Sequence, residues 1–236
     1  MIIEIYNIRT KFIPESSSDK LVLGKVYDGL SFKHPKAFFM QKHTKFHWDG
    51  KVHPMTSKGV IKTGMLEKAV ALLEEAGADE VLVKDFRKEL EWENIPPKIG
   101  ELILRGYQVS AIETIINNQV LERPHYRGVL ALSVNAGKTL IMLGIAKTLK
   151  GKTLILISSK ILFKQLVSDA KKVFEEVGEI KSGVVKVKDI TIGMLPTIAI
   201  HIKEYKVFLE EFDAVLVDEV DENLGGRLKT FMEGVS

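Results

Sequence analysis

Residues 133–139, Ser-Val-Asn-Ala-Gly-Lys-Thr, place a tight turn, an ammonium and a hydroxyl in succession. An apolar run (128–132) precedes them and an apolar helical pattern (140–149) follows. A strand, a small-residue loop, Gly-Lys-Thr and a helix together hold a nucleoside triphosphate. Backbone N–H groups and the helix N-terminus face phosphate oxygens, Lys138 reaches the outer phosphates, and Thr139 can ligate magnesium. The general pattern opens with a glycine, and Leu132 stands there instead. Asn135 adopts positive φ more readily than most residues, and Ala136 keeps the turn small, so Asn135, Ala136 and Gly137 can still form a phosphate nest. Eighty residues after Lys138, a second apolar run ends in Asp218-Glu219. Asp218 is placed to hold magnesium through water, and Glu219 to orient or deprotonate an attacking water. Asp221 is a candidate for sensing the γ-phosphate. Before the loop comes Tyr107-Gln108. The Gln108 amide offers one donor and one acceptor, matching the edge of adenine, and Tyr107 or Arg105 could hold the base. ATP and magnesium are the cofactors these residues imply.

These side chains need a scaffold that presents loops at one edge. From Leu102 onward, helical patterns alternate with short apolar runs: helices over 109–118, 139–149, 161–177 and 203–210, strands over 128–132, 153–157, 190–192 and 214–217. That rhythm predicts an α/β fold, a mostly parallel sheet with helices on both faces, whose ligands bind beyond the C-terminal strand ends. Ahead of it, residues 2–8 and 21–26 read as strands, Asp49-Gly50 as a hairpin turn, 64–76 as a helix capped by Gly77, and 80–83 as a strand. The expected organisation is a small basic α+β domain over 1–83, a charge-dense linker over 84–100 ending after Pro96-Pro97, and the nucleotide-binding domain over 101–236.

Composition narrows the classes. The chain has no cysteine, so thiolate catalysis, disulfides and Cys-ligated zinc are excluded, and a cytoplasmic setting fits. No apolar stretch reaches the length of a membrane span, and no signal peptide is evident. The net charge of +3 conceals an asymmetry: residues 1–65 carry 11 Lys/Arg against 5 Asp/Glu. A basic module beside a neutral-to-acidic one suggests a polyanion partner for the first. Lys42, Lys45 and Lys51, with Lys36 and Lys58, are the candidate nucleic-acid face. Trp48 and Phe46 are expected mostly in the core. His34, His43, His47 and His53 match no zinc-finger spacing.

Taken in order, the segments 104–108 (Leu-Arg-Gly-Tyr-Gln), 133–139, 157–165 (Ile-Ser-Ser-Lys-Ile-Leu-Phe-Lys-Gln), 192–197 (Ile-Gly-Met-Leu-Pro-Thr) and 218–221 (Asp-Glu-Val-Asp) resemble the early motifs of superfamily 2 helicases. The segment 46–50 (Phe-His-Trp-Asp-Gly) is similar to one in the N-terminal domain of the bacteriophage UvsW-type DNA helicases. The resemblance implies a first RecA-like domain in which Gln108 reads adenine, Lys138 and Thr139 bind phosphate and magnesium, and Asp218 and Glu219 serve as the carboxylates. It also implies that Ser159, Lys160, Gln165, Gly193 and Thr197 touch a nucleic-acid backbone without reading its bases. The chain differs from the family at Ser133-Val134 and Ser158-Ser159, where Pro-Thr is usual. It ends 15 residues after Asp221, with no evident motif III and no second RecA-like domain.

The expectation is the ATP-binding half of a DNA-dependent ATPase or helicase of phage or bacterial DNA repair and recombination. It would act on single-stranded or branched DNA with a second RecA-like domain in cis or in trans, and alone would hydrolyse ATP feebly. The alternative is a non-catalytic nucleic-acid-binding or regulatory module with a degenerate nucleotide site. A kinase reading lacks the arginine-rich lid.

Overall fold

The structure, a computed structural model, describes residues 1–38, 48–219 and 226–234. In chain order the first elements are β1 (Ile2–Ile5), β2 (Arg9–Ile13), α1 (Ser17–Leu30), β3 (Phe32–Lys33), β4 (Lys51–Val52), β5 (Val60–Lys62), α2 (Leu66–Glu75) and β6 (Leu82–Asp85). There follow β7 (Lys98–Ile99), β8 (Leu102–Ile103), α3 (Gly106–Ile116), β9 (Gln119–Val120) and β10 (Arg123–Pro124). The remainder comprises α4 (Lys138–Thr148), β11 (Thr153–Ile157), α5 (Lys160–Ala170), β12 (Gly178–Lys181), β13 (Val184–Lys186), β14 (Ile190–Met194), α6 (Leu195–Ile200), α7 (Ile202–Leu209), β15 (Ala214–Val217) and α8 (Gly226–Gly234). Contacts divide the chain into two compact units, Met1–Lys88 with Asn118–Gly128, and Glu89–Asn117 with Val129–Ser236.

The first unit is a four-stranded sheet, β5-β2-β1-β6, in which β1 runs antiparallel to β2 and parallel to β6. Alternation along β1 and β2 sends Ile3, Ile5, Thr10 and Phe12 to one face. There they share a core with Val22, Val26 and Leu30 of α1 and Leu66, Ala69, Val70 and Leu73 of α2. Val120 belongs to the same core, so the β9–β10 hairpin packs with this unit. The Arg87 guanidinium fastens it, donating to both Asp85 carboxylate oxygens and to the Pro124 carbonyl at 2.7 Å. Arg127 donates to the Asn7 carbonyl.

The second unit is a five-stranded sheet, β13-β12-β14-β11-β15, with every pairing parallel except β12–β13. Each residue of β11 and β14 is buried, because helices cover both faces. Ile155, Ile157, Ile192 and Met194 meet α3, α4 and α5 on one side. Leu154, Leu156 and Ile180 meet α6, α7 and Phe231 of α8 on the other. The expected α/β class with a mostly parallel, doubly covered sheet is the observed fold.

Several local expectations need correction. Residues 21–26 lie in α1, not in a strand. Ser16 caps that helix in a capping box: Asp19 N–H donates to Ser16 Oγ at 3.0 Å while the Asp19 carboxylate accepts from the Ser16 N–H. Asp19 also accepts from the Glu15 N–H and pairs with the N-terminal ammonium at 3.1 Å, which holds its carboxyl down at about 2. Residues 128–132 form no ladder, although their apolarity suggests a strand; Val129 there is 81% exposed. The helix expected to 177 ends at Ala170, and the chain re-enters the sheet as β12. Asp49-Gly50 does turn the chain, yet β4 pairs back to β3 rather than forming a tight hairpin. Trp48 is half-buried rather than core: its Nε1 donates to the Lys51 carbonyl at 2.9 Å and its ring meets His34 edge-on. Phe46 lies outside the described residues. Residues 118–128, read as part of the nucleotide-binding domain, fall with the first unit.

Two outcomes follow from these contacts. Ser16→Ala is expected to lower first-unit stability by about 1 kcal/mol, measured by denaturant unfolding. His125 on the hairpin is 2% exposed with no partner for Nδ1 among the described residues, and burial, aided by the Arg87 and Arg127 charges against Glu67 and Asp85, lowers its pKa below 6.5. The unfolded chain therefore binds the proton more readily, so stability falls as pH drops below about 6.5 toward the folded-state value. His125→Leu should flatten that part of a pH–stability profile; a profile unchanged by the substitution would refute the assignment.

Candidate nucleotide-binding site

Parallel pairing brings the site together. β11 and β15 are aligned strand to strand, so Ser159 after the first and Asp218 after the second leave the same sheet edge. α4 reaches β11 through the short connection 149–152 and runs back across the sheet. Its 11 residues span about 16 Å, matching about 17 Å for the five of β11. Lys138 and Thr139 open α4, and Asp218 follows β15, in the same unit. Leu132 and Leu140, flanking the loop, and Leu216, two residues before Asp218, pack against one core cluster.

The loop has the backbone its residue types anticipate. Asn135 sits at φ +63° and Gly137 at φ +74°, both left-handed, with Ala136 between them. Ala136 N–H donates to the Ser133 carbonyl at 3.3 Å, and the α4 ladder opens with Leu140 N–H on the Gly137 carbonyl at 2.9 Å. Lys138 is exposed and Thr139 half-buried. Gly137 is required twice over, by its φ and because a Cβ there would lie 2.5 Å from Gln108 Nε2.

Gln108 is the unexpected member. Its side chain is 4% exposed; Oε1 accepts from the Arg105 N–H at 2.9 Å and Nε2 donates to the Ala136 carbonyl at 3.1 Å. Tyr107 Oη donates to the same carbonyl at 2.9 Å and accepts from Arg105 Nη1. The amide read from sequence as facing adenine thus braces the phosphate loop through main-chain groups. A cavity of about 340 Å³ opens beside it, lined by Arg105, Tyr107, Leu132, Ser133, Val134, Asn135 and Ala136. Arg105 and Tyr107, not Gln108, present their side chains there.

Asp218 extends the sheet by one bond, its N–H donating to the Leu156 carbonyl at 3.1 Å. Its carboxylate accepts from the Glu219 N–H at 3.0 Å, and Glu219 turns away at φ +52°. Asp221 lies outside the described residues.

The nucleic-acid candidates scatter. Ser159 caps α5, accepting from the Leu162 N–H, and Lys160 and Gln165 are exposed on that helix. Thr197 is half-buried in α6. Gly193 is buried inside β14, where a Cβ would meet Ile198 at 2.6 Å, and its strand is paired on both sides. Its missing side chain serves packing, which corrects its placement on a nucleic-acid surface. Lys51 is exposed beside Trp48, while Lys42 and Lys45 lie outside the described residues.

A doubly covered parallel sheet with a phosphate loop heading one helix and a carboxylate pair closing an adjacent strand defines a helicase-type nucleotide-binding module. The chain belongs to the family described as "Type III restriction enzyme, res subunit", which matches residues 101–222, just over half of its length. Among solved structures it is similar to the UvsW helicase from bacteriophage T4, with 18% identity over 99% of this chain and 87% of that one, and a TM-score of 0.68. A second structure of T4 UvsW matches with 17% identity and a TM-score of 0.70. This chain spans 50% of that longer chain. No curated protein matches by sequence. At these identities the structures establish a shared fold, and the likeness to superfamily 2 helicases drawn from the motifs is borne out.

The brace can be tested directly. Gln108→Ala strands the Arg105 N–H and removes one of two donors to Ala136, and is expected to destabilise the second unit by about 1–3 kcal/mol in denaturant unfolding. A variant as stable as the parent would show that the loop stands without it.

Proposed function

We propose that this chain is the ATP-binding half of a DNA-dependent ATPase or helicase that remodels single-stranded or branched DNA when joined to a second RecA-like domain, in cis or in trans. The observation that carries the reading is the paired left-handed backbone of Asn135 and Gly137 at the head of α4, in the unit whose strand β15 runs into Asp218-Glu219. Successive N–H groups in such a turn form an anion nest. The loop residues therefore fit a triphosphate, despite Leu132 at the first glycine position.

Each residue has a distinct task in this reading. Lys138 supplies the point charge for the outer phosphates. Thr139 would ligate magnesium and Asp218 would hold it through water; the ion, when bound, would neutralise charge that builds on the phosphates. Glu219 orients the attacking water. Tyr107 and Arg105 face the cavity where the base would lie, so they hold it by stacking, and Gln108 fixes the loop beneath. Ser159, Lys160, Gln165 and Thr197 belong to the sheet edge or the helices leaving it, and suit phosphate contacts. Turnover needs an arginine from the facing domain, because such a group contributes orders of magnitude to phosphoryl transfer. The reading thus predicts binding by this chain with little hydrolysis. The first unit, with Lys51 and its basic neighbours, is proposed as a DNA-binding accessory.

The test is magnesium-dependent binding of a fluorescent ATP analogue to the chain and to Lys138→Ala. Loss of one charge-assisted phosphate contact, worth about 1.5–3 kcal/mol, predicts at least about tenfold weaker binding in the variant. Equal affinity in both proteins would sink the nucleotide reading and leave a nucleic-acid-binding module.

A further inference from the structure

Among the described residues, the helices of the first unit pack on the face of its sheet that carries Ile3, Ile5 and Phe12. The opposite face collects residues that are far apart in the chain. Tyr6, just past β1, and Phe86, just past β6, stack with ring centroids 4.9 Å apart and planes 11° from parallel, and both are exposed, at 43% and 57%. Parallel pairing of β1 with β6 puts them side by side, and the Phe86 N–H continues the ladder to the Ile5 carbonyl. Around them the register aligns Arg9 with Lys62, and Glu4 with both Lys11 and Lys84. All four cations are exposed, and no ion pair among the described residues engages them. Glu4 is the one carboxylate in these rows, accepting from Tyr6 Oη at 3.4 Å.

From this face we infer a platform for single-stranded nucleic acid, with an unpaired base laid against the Tyr6–Phe86 pair and backbone phosphates drawn to Arg9, Lys11, Lys62 and Lys84. The inference rests on the nucleic-acid reading above for the identity of the polyanion, but uses residues other than the lysines of segment 36–58. Charge complementarity selects a polyanion: residues 1–65 carry 11 basic against 5 acidic side chains. The aromatic pair selects a single strand, since a base inside a duplex is already stacked on both sides, whereas an unpaired one offers a free π-face. Stacking and phosphate attraction carry the binding in this proposal, so it is expected to tolerate any sequence.

The experiment uses the whole chain and a fluorescently labelled oligo-dT strand, read by anisotropy at several salt concentrations. Tyr6→Ala with Phe86→Ala should weaken binding by at least about tenfold, the scale of one lost stacking contact, while leaving the salt slope intact. Tyr6→Leu with Phe86→Leu retains apolar bulk without a π-face and should lose as much, which separates stacking from folding if the alanine pair unfolds. Arg9→Gln with Lys11→Gln should flatten the salt slope by about 1.4, for about two single-strand phosphate contacts. Both sets should bind the ATP analogue as the parent does, and Lys138→Ala should bind oligo-dT as the parent does. Failure here is therefore distinct from failure of the nucleotide reading. Undiminished oligo-dT binding by the leucine pair would overturn the proposal, as would equal weakening toward a duplex of the same length.

Discussion

Burial of β11 on both faces is the constraint on which the second unit depends. Thr-Leu-Ile-Leu-Ile offers no polar side to water beyond its first residue, so helices must close over both sides. Covering both sides of a parallel strand requires crossover connections, and each crossover returns the chain to the same starting edge. The C-terminal ends of β11, β14 and β15 consequently gather at one edge, and with them Ser159, Thr197 and Asp218. The position of these three residues is thus set by the hydrophobic demand of a five-residue strand, whatever task they have.

The phosphate loop answers to a different requirement. A tight turn is held more firmly when its carbonyls have donors. Ala136 meets this with two side-chain donors, Tyr107 and Gln108, both from the start of α3. The loop and α3 are therefore a single construction, and Gly137 is the position where they come too close for a side chain.

How much of this was legible beforehand depended on the range of the interaction. The loop, the apolar runs of β11, β14 and β15, and the acidic strand end are local patterns, and the sequence shows them plainly. Residues 21–26 read as a strand because Leu-Val-Leu and a further valine look like one, while the Ser16–Asp19 box and the Val22–Val26–Leu30 spacing point to a helix. Run 128–132 shows the converse: apolarity indicates a wish to be buried, but only a partner strand makes a ladder. Gly193 and Gln108 were read by motif position, and their burial is a property of neighbours distant in sequence. Nothing in the residues near Tyr6 announces Phe86, since only the parallel β1–β6 pairing makes them adjacent.

The first unit takes one of its core residues, Val120, from beyond α3. A chain emerging from the ribosome in order will therefore have released the whole of Gly106–Ile116 before the first core can close. The first unit is therefore complete only after a segment of the second has been made. The stretch that becomes the brace helix has left the ribosome, without its sheet, while the earlier unit still lacks its last hairpin.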